Sequence, residues 1–489
     1  MVPGIGVAMQ LTEFDHQGII ERNRRECSPF FDQLRWIDPS EAPRMEDERR
    51  ELLDSLSKRA LTAFNRTMPY VSGLSPGCRL CGEGFWSCLF INNICNARCF
   101  YCPSPQDKTD QPGTSTLTFT HPGDYVDYLE RFGFRGGSIS GGEPFMTFDR
   151  TLSFVAGIKR RLGARIYLWL YTNGILATPE KLARLRDAGL DEIRFNIGAS
   201  GFSLEGVSKA VGLIPRVTVE VPAVPERLDL LAGLMPRMYE LGVSFLNLHQ
   251  IRCTAFNYPK LIERGYTFAH GPLIGVVESE LAALRLLSHA AGQGIGMGVN
   301  YCSLIYRHRF QTRAARLRWA AFLRRGHEDL TDAGMIRSLS AAADPGLLSR
   351  LREACPAGEG SPVSEQNGRV LFGRALLDLP GPPLKGLRVS NHHASIHPGV
   401  TYRNTYREVR FNARKTVVLE RVQTGPAIEL DPAEIQAFRA VTGGDCSPPE
   451  DPEALLRRFP ELGQTPDARG KWAAILYAER FRPGLLEYY

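Results

Sequence analysis

The sequence predicts an α/β fold in which parallel strands are joined by crossover helices. Two observations carry this reading. Short β-type runs alternate with helical patterns from Ser138 onward, and candidate functional residues cluster just past the ends of those runs. The strands expected are Leu89–Ile94, Gly137–Ser140, Ile166–Thr172, Glu192–Ile197, Val217–Val221, Phe245–Gln250 and Ile295–Tyr301. Helical patterns fall between them at Tyr125–Phe132, Leu152–Leu162, Glu180–Ala188, Leu228–Leu241 and Val276–Ala291. Thr178-Pro179-Glu180 opens one of these with a capping residue, a proline at the first helical position and an acid in the first turn.

The most informative run is Ile94-Cys95-Asn96-Ala97-Arg98-Cys99-Phe100-Tyr101-Cys102-Pro103, a C-x3-C-x2-C pattern after an apolar stretch. Three thiolates so close suit an iron–sulfur cubane with three protein ligands and one open iron. Such an iron can chelate S-adenosylmethionine (SAM) and pass an electron into its sulfonium. The competing reading, a zinc knuckle, needs a fourth Cys or His in a matching second half, and none follows.

Two further motifs join the cysteines. Ser138-Ile139-Ser140-Gly141-Gly142-Glu143-Pro144 carries a GGEP run, and Leu170-Tyr171-Thr172-Asn173-Gly174 a TNG strand end. In order and spacing, the stretch from about Cys88 to Ser303 resembles the radical SAM superfamily. The resemblance implies a partial (βα)6-type parallel barrel with chemistry at the carboxyl ends of its strands. It also implies a 4Fe–4S cluster on Cys95, Cys99 and Cys102, SAM contacts from Tyr101, Gly141, Gly142, Glu143, Thr172 and Asn173, and a flavodoxin- or ferredoxin-like electron donor. The reduced cluster would cleave SAM to a 5′-deoxyadenosyl radical that abstracts hydrogen from an organic substrate.

Other positions stay open between two readings. Asn196 ends the fourth strand, where it would contact SAM by resemblance or bond its own backbone. Glu220 is a SAM or substrate ligand, or part of a structural network, since a carboxylate inside a barrel must be paired. Gln250 and Cys253 close the sixth strand, and Asn300 and Cys302 the seventh. Cys302 is a candidate hydrogen donor or cofactor ligand, although a buried cysteine is the commoner case.

Upstream, Cys78, Cys81 and Cys88 form a C-x2-C-x6-C run that suits an auxiliary iron–sulfur cluster or a structural metal. Seven residues of extended strand separate Cys88 from Cys95 by roughly 20 Å. This site is therefore expected near the opposite end of the first strand, with Cys302 a poor fourth ligand and Cys27, Cys355 and Cys446 still open.

Tyr306 to Arg325 carries seven Arg. Arg309, Arg313 and Arg316 share a helical face and could grip an anionic substrate, or they form a solvated face. His392, His393 and His397 lie in a non-helical stretch with no obvious acid or Cys partner.

The chain has 489 residues, 43% hydrophobic and 23% charged, enough for two or three domains. Its eleven Cys are clustered, which fits metal ligation in a reducing cytoplasm better than disulfides. No apolar run reaches membrane-spanning length, and Met1 to Gln10 lacks a signal-peptide pattern. A net charge of +6 without a basic tract, and without aromatics interleaved among the bases, argues against an RNA-binding module. The expected divisions are a helical extension (1–77, with Glu51–Asn65 the clearest helix), the barrel with its upstream cysteines (78–305), an Arg-rich helical segment (306–355) and a small α+β domain (356–489). In the last, strand Thr416–Val422, a turn at Thr424-Gly425-Pro426 and strand Ala427–Leu430 read as a hairpin ahead of a helix capped by Asp431.

The functional expectation is a radical SAM enzyme modifying an anionic small molecule, with a peptide or protein substrate as the alternative. A non-catalytic iron–sulfur electron-transfer protein would have no use for the GGEP and TNG motifs. Asp15-His16-Gln17-Gly18 lacks the D-x-H-x-x-G spacing of the usual cobalamin loop.

Overall fold

The computed structural model describes residues 15–108, 110–355, 363–443, 449–464 and 467–488, so Met1 to Gln10 and Cys446 lie outside it. The chain forms two compact units. One holds residues 20–312, 411–415 and 484–488; the other holds 15–19, 313–410 and 416–483 within the described residues.

The first unit is built on seven parallel strands in sequence order. They are β1 (Trp86–Phe90), β2 (Gly136–Ser140), β3 (Tyr167–Thr172), β4 (Glu192–Phe195), β5 (Arg216–Pro222), β6 (Phe245–His249) and β7 (Gly298–Cys302). Every neighbouring pair is parallel, joined through a crossover. The sheet is open: short antiparallel strands flank β1 and β7, which do not pair with each other.

Side chains alternate across the strands. One face is apolar, with Leu89, Leu168, Leu170, Val217, Val219, Leu246, Leu248 and Val299 fully buried. The other face carries Cys88, Ser138, Trp169, Glu192, Arg194, Glu220, Asn247, Asn300 and Cys302, following the strand registers. Against it lies a short helix, α1 (Pro76–Gly82), whose N-cap Ser75 accepts from the Cys78 amide. Gly77 lets the helix come close, since a Cβ there would sit 2.3 Å from the Arg194 guanidinium and 3.2 Å from Trp169.

Arg194 organises this face. It donates to Glu192 at 2.8 Å, to Glu220 at 2.8 Å and to Ser75 Oγ at 2.8 Å, and lies over the Trp169 ring. Glu192 also accepts from Thr218 and Tyr167, and Glu220 from Asn247 and His249. Burial alone would raise the Glu220 pKa, but His249 and Arg194 hold it well below the usual carboxylate range.

Several boundaries differ from expectation. The predicted helix Glu51–Asn65 is Ala42–Ser57, and the chain then turns through left-handed Phe64, Asn65 and Arg66 between strands Leu61–Ala63 and Met68–Val71. The predicted strand Leu89–Ile94 breaks after Phe90, because Asn92 leaves the sheet to bond the loop after β2. Residues 306–355 do not form one helical segment. After a π-turn (Arg307–Gln311) and helix Thr312–Leu323 come strands Glu328–Leu330 and Ile336–Ala342, then helix Pro345–Ala354, and all but the π-turn and Thr312 belong to the second unit.

The second unit is an antiparallel sheet packed with helices around Phe438 and Trp472. Thr416–Gln423 and Ile428–Leu430 both pair with Leu387–His397 and not with each other. They run in the same direction along one edge of that long strand, so Thr424-Gly425-Pro426 is a bulge and not a reversing turn. The cap at Asp431 forms a full capping box with Glu434.

Replacing Arg194 with Ala leaves two buried carboxylates uncompensated, and the expected loss is about 3–5 kcal/mol in urea unfolding. Because the Glu220 pKa is depressed in the folded chain, its stabilisation is present above the unfolded value of about 4.3. It is lost progressively as pH falls below that, and Glu220→Gln should flatten this acid limb of the unfolding profile.

Candidate functional site

The three motifs meet where β1, β2 and β3 end. The Ile91 amide donates to the Ser140 carbonyl, the Gly142 amide to the Asn92 carbonyl (3.0 Å) and the Glu143 amide to the Ile94 carbonyl (2.7 Å). Asn92 Nδ2 returns to the Glu143 carbonyl at 3.0 Å. No side chain fits between these segments: a Cβ at Gly142 would lie 2.0 Å from the Ile94 carbonyl, and one at Gly141 2.4 Å from that of Asn92. Gly141 also holds φ +147°, a conformation that side chains resist.

Glu143 is 1% exposed and turned toward the end of β3. Its carboxylate accepts from the Phe145 amide (2.9 Å), the Thr172 hydroxyl (2.8 Å) and the Asn173 amide (2.7 Å). Burial raises its pKa, and these bonds pull it back. Asn173 reaches onward, donating to Asn96 Oδ1 at 2.7 Å and standing 3.8 Å from Cys95 Sγ.

Cys95, Cys99 and Cys102 are each partly exposed in the loop between Ile94 and Pro103. Burial raises the pKa of Cys95 and Cys99, and the nearby Cys102 thiol adds to both. Two sulfurs already receive N–H donors: Cys95 from the Ala97 amide at 3.4 Å and Cys102 from Gln106 at 3.0 Å. Among the described residues, no three His, Cys, Asp or Glu side chains stand close enough to share one metal ion. A cubane asks for a wider spacing, since each thiolate binds a separate iron, so the donor set and its amide neighbours fit that group.

Tyr101 spans from this loop to β4. Its hydroxyl donates to Asn196 Oδ1 at 3.1 Å, so the Asn196 side chain is engaged by Tyr101, while its own amide bonds the Thr172 carbonyl. Burial, with Cys99 beside it, raises the Tyr101 pKa. Asn257, unmarked in the sequence, is 1% exposed and fixes the Tyr101 carbonyl (3.1 Å) and that of Arg252 (2.9 Å). Asn92 was equally unmarked. A buried amide serving carbonyls of another segment has no local sequence signature.

The remaining candidates separate. Glu220 sits in the Arg194 network described above. Cys302 lies in the field of Cys78 and Cys81, and Cys88 in that of Cys81. The upstream cysteines are therefore not remote from Cys302, contrary to the extended-strand argument, because α1 folds back over the polar face of the sheet. Cys27 shares its surroundings with Cys253 instead. Gln250 accepts from the Tyr301 hydroxyl and the Leu304 amide, a structural role.

The Arg face also dissolves. Arg309 donates to the Gly484 carbonyl, Arg313 to that of Asp332, and Arg316 to Ala333 and the Tyr477 hydroxyl. With each guanidinium committed to protein oxygen, the anionic-substrate expectation loses that support. His392, His393 and His397 lie on one strand of the second unit; His392 contacts Arg421, and burial holds His392 and His393 at about 4.

Comparison with known proteins agrees with the motifs. Residues 89–221 match the model of the radical SAM superfamily. A Methanocaldococcus jannaschii protein provisionally named as a glycyl-radical enzyme activating enzyme is 26% identical over 275 residues, 54% of this chain and 72% of that one. A GTP 3′,8-cyclase of Listeria monocytogenes is 28% identical over 145 residues, 26% of this chain. The chain spans only 42% of that cyclase. Among solved structures, methylornithine synthase aligns with TM-score 0.31 and 11% identity over 59% of this chain and 85% of its own. Such scores bear no weight on the fold. Among the described residues no helix is long and apolar enough to cross a membrane. Residues 89–221 are therefore a radical SAM domain, of the superfamily whose cofactors are a 4Fe–4S cluster and SAM.

Proposed function

We propose that this enzyme binds its 4Fe–4S cluster through Cys95, Cys99 and Cys102, at the mouth of a partial (βα)6 barrel. When bound, that cluster supplies the electron that cleaves SAM, and the resulting radical removes hydrogen from an organic substrate. The observation that carries the reading is the direct bonding of all three motifs to one another. Asn173 touches both Asn96 and Cys95, and Glu143 ties Asn173 and Thr172 to the backbone ahead of Cys95.

The chain's own residues have definable tasks. Gly141 and Gly142 allow the two loops to touch, and Glu143 offers a buried carboxylate edge toward an amino group. Tyr101 and Asn196 would border the nucleoside, with Asn257 fixing the Tyr101 backbone. Bonding the loop to these carbonyls and amides fixes the three thiols against the ends of β2 and β3.

Two substrate classes have support. An anionic small molecule is favoured by the relatives named as cyclases of GTP. A protein substrate is favoured by the relative named for activating a glycyl-radical enzyme, of which this chain spans 72%. An external flavodoxin- or ferredoxin-like protein would deliver the electron.

Anaerobic protein incubated with SAM and dithionite should yield 5′-deoxyadenosine and methionine. Its absence would end this reading, and S-adenosylhomocysteine beside it would indicate methyl transfer. Cys99→Ala should reduce deoxyadenosine to the background rate. Gly142→Ala, which drives a methyl group into the Ile94 carbonyl, should lower iron at this site together with activity. Tyr101→Phe loses one hydrogen bond, worth about 1 kcal/mol, and should raise KM for SAM about three- to tenfold at constant iron content.

A further inference from the structure

We propose that Cys78, Cys81, Cys88 and Cys302 together ligate a second iron–sulfur cluster, held between α1 and the polar face of the parallel sheet. The four come from three separate places in the chain. Cys78 and Cys81 lie one turn apart on α1, Cys88 stands on β1 opposite Ser138, and Cys302 ends β7 opposite His249. Strand alternation puts Cys88 and Cys302 on the face that α1 covers. The Cys81 thiol shares its surroundings with Cys88 and Cys302, and Cys302 with Cys78.

Donors already converge on the sulfurs. Asn247 Nδ2 lies 3.5 Å and Arg194 Nη1 3.8 Å from Cys78 Sγ, and Gln311 Nε2 lies 3.3 Å from Cys81 Sγ. N–H groups aimed at sulfur are what a cluster's thiolates take up, and they tune its potential.

An independent observation points to a missing occupant. Asn300 is 1% exposed, yet neither its amide nitrogen nor its oxygen has a partner. It stands opposite Asn247 on the same face, two residues before Cys302, and the Asn247 oxygen is unpartnered as well. Buried amides are rarely left so. Cys81, Cys88 and Cys302 also keep some accessible surface, so protein atoms do not fully cover them.

A cluster suits the spacing better than a single ion. With metal–sulfur bonds of about 2.3 Å, one tetrahedral ion draws its thiolates within about 4 Å of one another. No such grouping exists among the described residues. Four thiolates on four irons leave no corner for SAM, which separates this site from the Cys95 site. The proposal does not depend on the reading of that site.

The test uses the full chain carrying Cys95→Ala, Cys99→Ala and Cys102→Ala, reconstituted anaerobically with iron and sulfide. About four irons and four sulfides per chain should remain. Adding Cys302→Ala should cut the iron to about three or fewer, with a new paramagnetic signal of a three-iron cluster in the oxidised protein. Adding Cys253→Ala, a buried cysteine outside the set, should change neither iron nor spectrum. If Cys302→Ala fails to fold by circular dichroism, Cys302→Ser keeps the volume and should still alter the spectrum. Iron and spectrum unchanged by the Cys302 substitutions, iron without sulfide, or zinc in its place would each overturn the proposal.

Discussion

One carboxylate holds the candidate site together. Glu143 sits at the end of β2 and collects an amide and a hydroxyl from the end of β3, while its own backbone is bonded to the segment that precedes Cys95. Three strands that diverge with the twist of the sheet are thereby pinned at their carboxyl ends. The pin works only because two glycines precede it, since any side chain there would push the cysteine loop away from β3. A buried carboxylate is costly unless its lone pairs are met, and meeting them fixes the loop positions on which the rest depends.

The same economy governs the face of the sheet below. Parallel strands buried on both sides are usually apolar throughout. Here one face is apolar and the other carries acids, amides, cysteines and Arg194. Arg194 satisfies Glu192 and Glu220 at once and stacks on Trp169, so the polar face is stable without solvent. Glu220 therefore belongs to the architecture. The helix α1 packs against this face at Trp169 and Arg194 and brings two cysteines with it.

The legible part of the chain was the part governed by local chemistry. The alternation of Val217-Thr218-Val219-Glu220-Val221 marks a strand with two unlike faces, and β5 spans it. Leu228–Leu241 was readable to the residue, because Gly242 with φ +93° stops the helix there. The spacing of the cysteines, the GGEP run and the TNG strand end were readable for the same reason: each is a short segment whose chemistry needs its neighbours in sequence. The failures share a cause too. Arg309, Arg313 and Arg316 looked like one basic face, yet a π-turn interrupts the helix and distant carbonyls absorb each guanidinium.

By itself, then, the sequence determined roughly where the seven strands and the three motif loops lie, which follow from periodicity and contiguous residues. Tertiary structure alone decided which side chains meet. Cys302 and Cys78 are far apart in the chain, and an argument from extended-strand length kept them apart in space. That argument failed because α1 turns back across the sheet, a path set by the close approach Gly77 permits and by the bonds Arg194 makes to Ser75 and Glu220. Contacts of that kind are fixed by packing and by the satisfaction of buried charge, and neither leaves a trace in local sequence.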